Sequence, residues 1–227
     1  MKKLLIFGIV GFFGLFSGLF AQQKEVEENT KTTATLQETT YYFPDALVYE
    51  YQLDSAREEL WIFVNPETEQ LLFVPNDDMI EAVISFPDGT YRIFGTAEAG
   101  EQMVLCQHLP EVSEQNLELA PLQSNGKILT VSQQHIQQPD ITSKGFEIKY
   151  QKMAGGEIIY VTDQLPINSR QLYGLSRLDG DARLAVDLDY LAMLLSNQLI
   201  THISRDHFSL KLLDYGPNPY YFTTKLY

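Results

Sequence analysis

The 227 residues hold one cysteine, Cys106, and one tryptophan, Trp61. A single thiol excludes an intramolecular disulfide, because a bridge needs two partners. Cys106 also lies far from the N-terminus, which excludes a lipid-modified cysteine at an export cleavage site. Cations are scarce: 16 Lys and Arg stand against 30 Asp and Glu, for a formal charge of −14. A surface of that sign repels nucleic-acid phosphates and anionic headgroups, so nucleic acid is excluded as a partner. Catalytic fingerprints are missing as well. No serine stands in GxSxG, and no glycine-rich loop has P-loop or dinucleotide spacing. His108, His135, His202 and His207 form neither HxH nor HExxH.

The one long uncharged run is at the start. Lys2 and Lys3 precede Leu4 to Phe20, and after Ala21 the chain turns polar at Gln22-Gln23-Lys24. That order of parts is a secretory signal peptide, 1–21, cut after Ala21. Gly8, Gly11, Gly14 and Gly18 weaken the alternative, a retained membrane anchor. After cleavage no stable transmembrane helix is expected, and the place of work is periplasmic or extracellular. Residues 22–40 are mostly Gln, Lys, Glu, Asn and Thr, too polar to offset their ordering entropy, and read as a disordered polar tether. Residues 41–227 are then one β-rich exported domain held by its apolar core.

Within that domain the dominant period is two. Leu47, Tyr49, Tyr51 and Leu53 share a face against Glu50 and Gln52, and Leu60 to Val64 reads as a strand covered on both sides. Asn65-Pro66-Glu67-Thr68 and Pro87-Asp88-Gly89-Thr90 are turns, the second a hairpin signal. Strands are also expected at Met103–Gln107, Lys127–Ser132, Phe146–Tyr150, Glu157–Thr162, Leu199–Ile203, Phe208–Leu213 and Tyr220–Leu226. Gly216-Pro217-Asn218-Pro219 predicts a break between the last two. Leu184, Leu188, Leu191 and Leu195 carry helical spacing, and Asn168–Leu175 predicts a shorter helix after Pro166. The expected fold is mainly β (α+β): a curved antiparallel meander of about ten strands with one or two helices packed on it.

Few residues point to chemistry. Asp179 and Asp181, in Leu178-Asp179-Gly180-Asp181-Ala182-Arg183, are calcium candidates, with Asp187 and Asp189 near in sequence. Arg183 and Leu184 fall where an EF-hand needs a ligand and a glycine, so a tight turn before a helix explains the string without metal. Cys106 and His108 share a strand face, which permits a thiol–imidazole pair, while a small buried hydrophobe explains the cysteine more simply. Carboxylate pairs such as Asp77-Asp78 and Glu58-Glu59 leave a glycosidase-like arrangement open. Tyr41-Tyr42-Phe43 and Tyr220-Tyr221-Phe222 suit either a groove for a lipid tail or sugar, or the core itself.

The functional expectation is an exported, non-catalytic domain of the cell envelope that binds a partner protein or an apolar ligand, with no catalytic residue and no cofactor beyond the calcium candidate. The competing readings are a small outer-membrane β-barrel and a carboxylate-dependent hydrolase.

Overall fold

The computed structural model describes residues 38–108, 123–134, 138–149, 156–178, 197–205 and 208–224. The tether as far as residue 37, His135, His207, Asp179, Asp181 and the heptad-like leucines from Leu184 to Leu195 lie outside them. So does the leader.

Eleven strands form one antiparallel sheet: β1 (Thr39–Leu53), β2 (Ala56–Asn65), β3 (Gln70–Phe73), β4 (Ile80–Ser85), β5 (Thr90–Thr96), β6 (Gln102–His108), β7 (Gln123–Val131), β8 (Ile141–Lys149), β9 (Gly156–Thr162), β10 (Leu199–Arg205) and β11 (Phe208–Thr224). The protein is therefore mostly β, as its period-two pattern requires. The spatial order is β6-β5-β4-β3-β2-β1-β11-β10-β9-β8-β7, and among the described residues no pairing joins β6 to β7. Two local meanders thus meet along one seam, where β1 pairs with β11 from Thr39↔Thr224 to Leu53↔Phe208. Directions alternate across an antiparallel sheet. With eleven strands, the two outermost, β6 and β7, run the same way.

α1 (Ser169–Gly174) is the single α-helix among the described residues, and a 3₁₀ turn at Leu175–Arg177 follows it. It falls where the sequence predicts the shorter helix. No helix among the described residues is long and apolar enough to cross a membrane.

Local chemistry explains the turns. The Asn65 carboxamide oxygen accepts the Glu67 and Thr68 amides at 3.0 and 3.1 Å, closing the β2–β3 connection. The Asp88 carboxylate accepts the Thr90 amide at 2.9 Å, and Gly89 supplies a φ of 81°. Gly95 answers to a different need. A Cβ there would stand 2.2 Å from the Met79 carbonyl oxygen, and that carbonyl takes the Thr96 amide at 2.8 Å.

Two expectations are overturned. β11 runs unbroken from Phe208 to Thr224, through Gly216-Pro217-Asn218-Pro219. The register jumps from Phe43↔Tyr220 to Asp45↔Pro217, so Asn218 and Pro219 together oppose Pro44. The missing proline N–H is absorbed at that bulge instead of ending the strand. β1 begins at Thr39, two residues inside the segment read as tether, because Thr40 and Thr39 pair with Thr223 and Thr224.

Period two buries one face of the sheet in a core that joins both meanders to the helical segment. Ile62, Val83, Ile159, Ile203 and Leu212 meet Leu172, Tyr173 and Leu175 there. β5 and β10 lie six places apart in the sheet order, yet both reach α1. The Tyr91 hydroxyl donates to the Gln171 carbonyl at 2.7 Å, and the Tyr173 hydroxyl accepts the Ile200 amide. On the other face of β3–β5, beyond the Pro44 bulge, the terminal pieces Thr39–Phe43 and Tyr220–Thr224 bring Phe43 and Phe222 against Leu72, Ala82, Ile84 and Phe94.

Candidate functional site

The first constellation is on β6. The β5–β6 ladder sets Arg92 opposite Cys106 and Thr90 opposite His108, so the thiol and imidazole share the outward face, as the sequence predicts. Cys106 is exposed, which corrects the expectation of a buried hydrophobe. Met103 and Leu105 take the inward positions and leave the even-numbered residues outside. The structure adds Asp88, which the sequence reading missed. Its carboxyl is held below the usual range, first by the Thr90 amide and hydroxyl and then by the His108 imidazole nearby. The signal was available: a Pro-Asp-Gly-Thr hairpin places its aspartate beside whichever strand pairs with the threonine. Asp88 and His108 therefore lie near each other, with Cys106 two residues along on the same strand face as His108. A reactive thiolate also needs a cation beside it. Arg92 is committed elsewhere, its guanidinium carbon 4.6 Å from the Phe86 ring centre and one nitrogen 3.1 Å from the Tyr41 hydroxyl.

The second feature is β6 itself as the sheet edge. Its seven residues, Gln102 to His108, hold no Asp, Glu, Lys, Arg or Pro, and it pairs with β5 without a bulge. Val104 is 39% exposed on the outer face, while Leu105 packs on the central core. The opposite edge differs. β7 loses register between Ser124 and Ile128, where Gly126 takes a φ of 72° beside Lys127. Bulges and lysines are how natural edges avoid stray pairing, and β6 carries neither.

The third is the aromatic ribbon at the start of β1 and end of β11. The two Tyr-Tyr-Phe clusters, Tyr41-Tyr42-Phe43 and Tyr220-Tyr221-Phe222, pair with each other. Tyr41 and Phe222 turn inward, with Phe222 5.1 Å from Phe94 between ring centres, and Phe63 stacks on Tyr220 at 4.1 Å. Tyr42 and Tyr221 turn outward and lie 4.7 Å apart, 43% and 65% exposed. Most of these rings therefore fill core. A small pocket lies beside them, lined by Glu81, Phe94, Met103, Val104 and Phe222 among others, with space of about 10 Å³, one water's worth.

The remaining candidates are dispersed. Glu58 and Glu59 are consecutive on β2 and point to opposite faces. Asp77 caps its own turn, accepting the Met79 and Ile80 amides at 2.6 and 3.2 Å. Among the described residues, no group of three or more His, Cys, Asp or Glu is placed to hold a metal ion. His202 is half-buried beside Tyr160, and burial, then the Lys211 charge, pushes its imidazole below the usual value. Asp214 is fully buried and accepts the Gln134 amide at 2.6 Å, while the Tyr215 amide donates to the Gln133 side chain at 2.9 Å. These bonds clasp the loop after β7 to β11, which is a structural task.

No protein-family model matches the chain, and comparison with curated proteins finds no match.

Proposed function

We propose that this chain is an exported, non-catalytic β domain of the cell envelope that binds a partner protein at the edge of its sheet. The β6 edge carries the reading: a strand without Asp, Glu, Lys or Arg, outermost among the described strands in a chain of charge −14, is suited to being covered by another strand. The inner face favours a protein over an apolar ligand. Laid flat, β5 and β10 would stand about 29 Å apart at ~4.8 Å per strand, yet both bond to one short helix. We read this as a sheet curved around α1, with its concave side filled by side chains. Lys2-Lys3, the apolar run to Phe20 and the polar switch after Ala21 support export.

Two measurements test this. N-terminal sequencing of the protein from an envelope fraction should start at Gln22, and recovery from cytosol with Met1 attached refutes export. Native mass spectrometry of the purified domain should show bare protein. A stoichiometric co-purified lipid would instead establish the apolar-ligand reading.

A further inference from the structure

We draw no further inference here: the strongest candidate, the acidic side chains of the β2–β6 meander from Glu58 to Glu101, against which Arg92 is the one cation, is a carboxylate cluster for which nothing among the described residues shows a ligand.

Discussion

Tyr49 of β1 and Tyr173 of α1 hold opposite sides of one residue, Ile200 of β10: the Tyr49 hydroxyl donates to its carbonyl at 2.6 Å, and the Tyr173 hydroxyl accepts its amide. Ile200 sits at the register shift between Ile200 and His202, where the ladder to β9 cannot serve it regularly. Both tyrosines are fully or almost fully buried. Tyr49→Phe or Tyr173→Phe strands one buried backbone group and should each cost about 1–3 kcal/mol. Because both act on Ile200, the double variant should cost less than the sum, by at least ~0.5 kcal/mol, in urea unfolding. Additive losses would mean the hydroxyls act independently.

The same burial sets an alkaline limit. Burial pushes Tyr49, Tyr91, Tyr173 and Tyr215 above the ordinary tyrosine value, with the Asp45 carboxylate adding to the effect at Tyr215. A group whose folded value is raised keeps its proton longer in the fold than in the unfolded chain. Its stabilising effect is complete below pH about 10 and is lost as pH rises beyond it. Tyrosinate absorbance at 295 nm should therefore show these rings ionising together with loss of β-sheet circular dichroism. Smooth ionisation of all tyrosines near pH 10 in intact protein would contradict the buried bonds.

His202 acts at the other end. Its folded value lies below the ordinary 6.5, through burial and then Lys211. The unfolded chain then binds the proton first, so stability falls as pH drops below about 6.5 and levels off under the folded value. His202→Gln should remove that step from a plot of urea midpoint against pH between 8 and 5. An unchanged step would assign it to other groups.

Gly95 and Gly100 make a paired test. Gly95→Ala drives a Cβ onto the Met79 carbonyl and should destabilise by roughly 1–3 kcal/mol, the range for overpacking. At Gly100, where φ is 82° and nothing lies within 4 Å, Ala should cost only the left-handed penalty of about 1–2 kcal/mol. Thermal unfolding of the two variants decides. Relief of Gly95→Ala by a Met79 backbone shift would appear as an equal, small loss at both sites.

Tyr221→Ala should cost about 0.2–1 kcal/mol, the worth of an exposed cross-strand ring pair with Tyr42. A larger loss would mean the outward rings contribute to the buried cluster of Phe43, Phe94 and Phe222.

Much of this architecture was legible locally. Alternation at Leu47–Leu53, the Asn65 and Asp88 turns and the short helix after Pro166 each depend on neighbours within a few residues. What was not legible depends on partners far along the chain. Nothing near Thr39 announces Thr224, so the seam and its bulges were invisible, and Pro217 and Pro219 looked like terminators. Burial of Cys106 was misjudged because Met103-Val104-Leu105-Cys106 reads as an apolar run until the edge fixes which residues face out. Asp88 beside His108 needed the hairpin register. At the candidate edge, the uncharged wording of β6 was visible, but only the strand order shows that it lies outermost.

The seam also decides when folding can finish. Each meander can assemble from contacts close in sequence, but β1 waits for β11, the last strand described. A chain emerging N-terminus first, from a ribosome or through a narrow pore, lacks its central pairing until the final stretch arrives. Shortened products ending before Phe208 would leave a fifteen-residue hydrogen-bonding border bare in the middle of the sheet, which makes them natural prey for proteases and seeds for clumping.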